Sequence, residues 1–306
     1  AGRFDFTAGY SYQAFKSTGD NFPDRTFDRT IVNTPVFATY LDENRLIGVY
    51  SRLNYSYKGR YLLTAAIRRD ASSRFSKENR WGNFPSVALG WRVKDEGFLR
   101  NAKNLSELKV RVGFGITGQQ DGIGNYSYIG DYSTGGNQSQ YQFGNTYYNT
   151  LSPNAYNANI KWEQTEMYNA ALEFGFLNNR ISGTIEYYSR NTKDLLNAAS
   201  VPAGSNFTNI LTANVGTLKN EGVEFTLNTE IIRRKDVTWD LGFNVTYNKN
   251  TITNLTLSPD PNFVGNQFGG ISGGTGQQVL INSIGFPRGA FFTYKQTYSK
   301  NGDAPI

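Results

Sequence analysis

The chain has 306 residues, 38% hydrophobic and 15% aromatic, with 31 basic against 25 acidic side chains for a formal charge of +6. It contains no cysteine and no histidine, which excludes disulfides, thiolate or imidazole metal sites and every His-dependent nucleophile, so neither a cofactor nor an enzyme is expected. No apolar run reaches the ~18 residues of a helical span, and the basic residues are scattered instead of clustered, which argues against a nucleic-acid surface.

Period-two alternation begins at once. Residues 3–14 put Phe4, Phe6, Ala8, Tyr10 and Tyr12 on one side, which predicts a strand. A polar stretch, 15–44, separates it from strand 46–57 with Ile47, Val49, Leu53, Tyr55 and Tyr57. Strand 61–69 follows with Tyr61, Leu63, Ala65 and Ile67. Keeping Tyr57 and Tyr61 on one face requires an odd-length connection, so Lys58-Gly59-Arg60 reads as a three-residue hairpin with glycine at positive φ.

Strand 84–93 carries Val87, Leu89, Trp91 and Val93 against Ser86, Ala88, Gly90 and Arg92. Residues 94–107 have room for a short helical turn. Strand 108–117 sets Leu108, Val110, Val112, Phe114 and Ile116 against Lys109, Arg111, Gly113, Gly115 and Thr117. A Gly-, Asn-, Gln- and Tyr-rich segment, 118–161, precedes strand 166–176. The four-residue turn 177–180 then switches parity into strand 181–190, with Ile181, Ile185 and Tyr187 outward.

Loop 191–213 leads to strand 214–229, and turn 230–236 to strand 237–247, whose Val237, Trp239, Leu241, Phe243, Val245 and Tyr247 form an unbroken apolar face. Loop 248–286 and a weak strand at 288–298 complete the pattern. Long and short connections interleave, except that 70–82 and 94–107 are too alike in length to separate.

About ten strands of membrane-crossing length, aromatic at their ends, describe an all-β antiparallel transmembrane β-barrel, apolar outside and polar within. The mean hydropathy of −0.51 is compatible, since a barrel needs apolar residues only at alternate positions. The short turns belong on the periplasmic side and the long loops outside. A soluble β-sandwich or propeller also alternates, but loops this long are unusual in a compact soluble domain.

Five phrases carry a family resemblance: NYSYKGRYLLTAAIRRDASSRF (54–75), NRWGNFPSVALGWRV (79–93), LSELKVRVGFGITGQQDGIGNY (105–126), NNRISGTIEYYSRNTKDLL (178–196) and NVGTLKNEGVEFTLN (214–228). Together they resemble the barrel of SusC/RagA-type TonB-dependent outer-membrane transporters. Ala71 stands where that family more often has glycine. The resemblance implies a plugged barrel of roughly 22 strands. It also implies a TonB energy-coupling complex and a SusD-like lid lipoprotein as partners, in contact with outer-membrane lipid. Residues 1–306 are then expected to be part of the barrel domain of a longer protein, without its plug and terminal strands. The function implied is active import of a nutrient, an oligosaccharide before a peptide. A passive pore or adhesin barrel, complete in itself, is the alternative.

Parity predicts Arg92, Lys109, Arg111, Glu173, Glu186 and Asp240 on the lumen face. In 118–161, Tyr126, Tyr128, Tyr132, Tyr141, Phe143, Tyr147, Tyr148 and Tyr156 stand among Gln119, Gln120, Asn137, Gln138 and Gln140. Rings that stack on apolar sugar faces, with amide donors and acceptors beside them, suit neutral hydroxyl-rich ligands, and equally a peptide or a lid protein. The stretch Arg68–Phe75 reads as a hydrogen-bonded strand cap or a substrate-facing rim. Gly113-Phe-Gly115-Ile-Thr-Gly118 matches a nucleotide-loop spelling, but its glycines lie inside a strand with no helix following. Their expected role is to thin the lumen wall.

Overall fold

The computed structural model describes residues 2–294 except 36, 135–139, 203, 205, 209, 259 and 273–275. Asn137, Gln138 and the end of the expected 288–298 strand lie outside the described residues. Nine strands, β1 (Gly2–Asp20), β2 (Thr39–Tyr57), β3 (Tyr61–Ser72), β4 (Trp81–Arg92), β5 (Leu105–Gln119), β6 (Glu163–Phe176), β7 (Ile181–Ser200), β8 (Ile210–Arg233) and β9 (Thr238–Asn254), form one sheet. Each strand pairs antiparallel with its neighbour in sequence, so the sheet is a meander.

Register carries the apolar face from strand to strand. Phe6 stands opposite Leu53, Leu53 opposite Ala65, Ala65 opposite Val87 and Val87 opposite Phe114. Phe114 faces Tyr168, Leu172 faces Ile185, Ile185 faces Phe225 and Phe225 faces Val245. Phe114 and Tyr168 touch with ring centroids 4.9 Å apart. Trp91 and Trp81 share this face at opposite ends of β4. At about 3.3 Å per residue and a tilt of about 40°, they bracket a band of roughly 25 Å, the height of a barrel's apolar belt.

The meander sorts its connections by end. Residues 58–60, 93–104, 177–180 and 234–237 lie at one end, and 21–38, 73–80, 120–162 and 201–209 at the other. The two connections that length could not separate are assigned by topology, since alternate turns of a meander must fall on opposite edges. Lys58 and Gly59 are left-handed (φ 52° and 68°), closing the expected three-residue hairpin between Tyr57 and Tyr61. Residues 93–104 contain two short 3-10 turns, Val93–Asp95 and Gly97–Leu99.

Three expectations change. The polar stretch expected at 15–44 is paired at both ends, Phe15–Asp20 against Thr39–Asn44, so the first two strands are longer and the loop shorter. The hairpin between β7 and β8 runs far beyond Arg190, to Ser200 and from Ile210, so most of the expected loop 191–213 is paired ribbon. Of the tenth strand, only Ala290–Phe291 is strand among the described residues. It belongs to a separate three-stranded sheet with Asn266–Gly270 and Gln278–Asn282, because left-handed Gly285 and Gly289 turn the chain there. Ala71, which stands where glycine is common, lies in β3 opposite Trp81 and is buried.

Beyond Ser86 and Gly115 the ladder between β4 and β5 stops, and the two roots of the connection that follows β5, at Ile123 and Tyr128 and at Ile160 and Trp162, pack against Phe84 there. Phe75 and Ile160 are fully buried there with Phe84, Ile123 and Trp162. The Trp162 ring lies 5.1 Å from Phe75 and 5.5 Å from Phe84, and its indole N–H donates to the Arg80 carbonyl at 3.0 Å. Burying Phe75 and Ile160 contributes about 1.5–3 kcal/mol each, which fixes the root of this long connection.

Candidate functional site: the polar face and its outer rim

The face opposite the aromatic belt holds a network of charges. Glu173 accepts from Lys109 Nζ at 3.1 Å and from Arg111 Nε, and Arg111 Nη2 reaches Glu186 at 3.5 Å. Asn169 Nδ2 donates to the other Glu186 oxygen at 3.0 Å. All are partly buried. The register explains the meeting: Lys109 stands opposite Glu173, Arg111 opposite Ala171, and Ala171 opposite Glu186. Small Ala171 between them leaves room for the long arginine to cross a strand.

The structure thus brings four of the six parity-predicted charges together. Arg92 stands opposite Lys109 on the same face but pairs with Asp95 at 3.2 Å. Asp240 also shares the face and stands opposite Glu230, two strands from this network. Asn169 and Arg52 belong to the face too; parity alone placed them there, and sequence reasoning passed over them because neither lies in a conspicuous motif.

A groove of about 560 Å³ lies on this face, lined among others by Arg52, Arg68, Asp70, Ser86, Gly113 and Asn169. Its floor is low because small residues line two adjacent strands: Ser86 stands opposite Gly115, and Ala88 opposite Gly113. Arg68 Nε binds both Asp70 oxygens, at 2.9 and 2.7 Å. The rest of Arg68–Phe75 behaves as a cap. Ser73 Oγ accepts the Arg45 N–H at 2.9 Å, and Arg74 Nε donates to Asn125, which donates to Asp42. The stretch therefore divides, with a pair facing the groove and a clasp tying the outer loops.

The aromatic loop residues separate likewise. Tyr128 packs against the Phe75–Trp162 cluster. Tyr126 exchanges hydrogen bonds with the Glu43 backbone, its hydroxyl accepting from Glu43 N–H at 3.3 Å. Tyr132 and Tyr156 both contact the ring of Phe207, at 6.1 and 5.8 Å. The short hairpin Gln140–Phe143 and Thr146–Asn149 sets Tyr141 opposite Tyr148, with Phe143 on the same face, while Tyr147 falls on the other. All four hairpin aromatics are exposed.

At the opposite edge, Glu96 closes a clasp. It accepts from the Tyr61 hydroxyl at 2.7 Å, Trp91 Nε1 at 3.1 Å and Arg60 Nη1 at 3.0 Å. The Tyr61 hydrogen bond first, then that of Trp91 and the charge of Arg60, hold this carboxyl below the usual carboxylate range. Tyr57, Tyr61 and Trp91 stack in a row, centroids 6.3 and 6.5 Å apart, as an aromatic rim.

A meander with one apolar face, one charged face, an aromatic rim and its two longest connections on the same edge is a wall segment of an outer-membrane β-barrel. Residues 1–305 match the family model described as "TonB dependent receptor-like, beta-barrel". The TonB-dependent receptor SusC of Bacteroides thetaiotaomicron is 43% identical over 309 residues, 99% of this chain and 30% of SusC. A TonB-dependent receptor of Formosa agariphila is 33% identical over 227 residues, 73% of this chain and 21% of that protein. Among solved structures, the RagAB peptide transporter superposes with a TM-score of 0.74 at 25% identity, covering 97% of this chain and 32% of that one. The chain belongs to the TonB-dependent receptor family of outer-membrane proteins, in its SusC/RagA type, and the matches span between about a fifth and a third of these relatives' length.

Proposed function

We propose that this chain forms part of the barrel wall of an energised importer, with the polar face toward the lumen and the aromatic face toward lipid. The observation that carries the reading is the period-two register that aligns one apolar and one polar face across nine strands, which gives the wall one side suited to water and one to acyl chains. In the whole protein a plug would close the lumen. A TonB complex would drive the plug's movement and a SusD-like lipoprotein would cover the outer mouth.

The substrate we favour is a neutral oligosaccharide, supported by the tyrosine- and amide-rich outer connection. Tyr126, Tyr128 and Tyr132 are assigned to substrate or lid contact. Exposed Tyr141, Phe143, Tyr147 and Tyr148 are assigned to the lid. Arg92, Lys109, Arg111, Glu173, Glu186 and Asp240 line the path. The peptide alternative draws on the solved relative described as a peptide transporter.

The test is uptake by cells carrying the full-length protein, with and without a functional TonB complex, offered a labelled neutral hexasaccharide and a labelled hexapeptide. TonB-dependent uptake of the sugar is expected. Uptake that persists without TonB would make the protein a passive pore.

A further inference from the structure

A second cavity, of about 530 Å³, opens on the polar face near the outer edge, within the ~300–1,000 Å³ range of small-ligand sites. Its floor comes from four successive strands: Glu163 of β6, Thr192 of β7, Leu218 of β8 and Ile252 of β9. Register sets Thr192 opposite Leu218 and Leu218 opposite Ile252, so three of them form one rung. The segment that follows β9 folds back to build a rim. Ile252 N–H donates to the Phe286 carbonyl at 2.9 Å, Gly285 N–H to the Ile252 carbonyl at 2.8 Å, and Arg288 N–H to Asn250 Oδ1 at 3.0 Å. These bonds fix Arg288 and Asn282 as walls of the cavity.

Two polar groups here lack the partners their chemistry requires. Asn197 Oδ1 accepts from Asn266 Nδ2 at 3.1 Å, but its own Nδ2 is buried with no hydrogen-bond partner. Such a donor is costly to leave unpaired, and the cavity beside it is where a partner can enter. The Glu163 carboxylate receives only the Leu196 N–H, at 3.3 Å, among the described residues, leaving acceptor capacity unused. The remaining lining is half apolar, with Leu195, Leu196 and Leu218 beside Ile252. The charges at the lining, Asp121 and Glu163 against Arg288, are balanced by Arg74 at 3.9 Å from Asp121, so the cavity favours neither an anion nor a cation.

We propose that this cavity is a binding subsite for a neutral, hydroxyl-rich ring, one unit of an oligosaccharide. Asn197 Nδ2 donates to a hydroxyl oxygen, Glu163 accepts a hydroxyl proton, and Leu218 with Ile252 packs against the ring's apolar C–H face. The inference rests on the importer reading and adds the residues that hold one sugar unit.

The test uses the purified full-length transporter with its lid partner. Calorimetry is run with cellohexaose, maltohexaose, mannohexaose and an uncharged hexapeptide. At least one hexaose is expected to bind. Asn197→Asp, which keeps the acceptor for Asn266 and removes the donor, and Glu163→Leu should each weaken it by about tenfold or more. A heat-modifiable mobility shift confirms that each variant is folded. For a variant that does not fold, hydroxyl-radical footprinting of the wild type substitutes, with hexaose expected to protect Leu218 and Ile252. Unchanged affinity in folded variants, or no protection, overturns the subsite and leaves TonB-dependent import standing. Binding of the hexapeptide alone overturns the sugar class. Loss of TonB dependence removes the importer reading whatever the calorimetry gives.

Discussion

Arg111 and Glu173 are separated by 62 positions in the chain yet hydrogen bond across two neighbouring strands. Glu173 also holds Lys109 at 3.1 Å, so one carboxylate neutralises two cations on the polar face. Replacing it leaves Lys109 without this partner and Arg111 with only the 3.5 Å contact to Glu186, in a partly desolvated place. Glu173→Ala is expected to destabilise the barrel by about 1–2 kcal/mol, and Lys109→Ala by only about 0.5, because partly exposed pairs are individually weak. Urea midpoints of the full-length protein in detergent measure both. Equal costs would mean that the network is not centred on Glu173.

Neighbouring positions on β9 test the two faces. Val245 belongs to the aromatic face near the middle of the strand's membrane crossing, and Asn244 to the polar face. Val245→Arg should cost about 2–4 kcal/mol and Asn244→Arg well under half of that, since a lipid-facing charge is expensive and a lumen-facing one is hydrated. Refolding equilibria in lipid vesicles give the comparison. The reverse ranking would invert the wall.

Strands were legible where lipid imposes a difference between faces, and illegible where it stops. On β7 the alternation ends at Thr192; Asp194 is left-handed (φ 57°) and the register steps from Thr192–Leu218 to Leu195–Gly216. Leu195 and Leu196 are then adjacent apolar residues, which reads as loop although the ribbon continues to Ser200. The candidate site shows the same limit. Parity places Arg111 and Glu186 on one face, but their meeting depends on the register of β6 between them, and on Ala171 being small. Tyrosine content marked the 118–161 connection as a whole. It could not separate Tyr128, which packs inward, from exposed Tyr141, because that depends on where the chain folds back at Ile160 and Trp162.

The two wall glycines should not respond alike. A Cβ at Gly113 would lie 2.3 Å from Asn169 Oδ1, whereas one at Gly115 meets only Ser86 Cβ at 3.4 Å. Gly113→Ala therefore displaces the amide that donates to Glu186, at an expected cost of about 1 kcal/mol. Gly115→Ala should be neutral or slightly stabilising, since alanine loses less backbone entropy in a strand. Thermal unfolding followed by the mobility shift separates them. Equal losses would show that thinness of the wall, and not the Asn169–Glu186 bond, is what Gly113 protects.

The Glu96 clasp sets a pH dependence at the short-turn edge. Its carboxyl is held below its unfolded value by Tyr61, Trp91 and Arg60, so at acid pH the unfolded state binds the proton more readily than the folded one. The stabilisation is complete above the ordinary carboxylate range and is lost as pH falls through the lowered folded value. The protection of residues 93–104 against hydrogen exchange, measured relative to the intrinsic rate at each pH, should be high at pH 7 and lower at pH 3 in the wild type. In Glu96→Gln this protection should already be reduced at pH 7 and respond less to acid, because the charge that Arg60 and the two aromatic donors recognise is gone. A variant matching the wild type at both pH values would show that this edge is held by the stacked rings Tyr57, Tyr61 and Trp91 and not by the carboxylate.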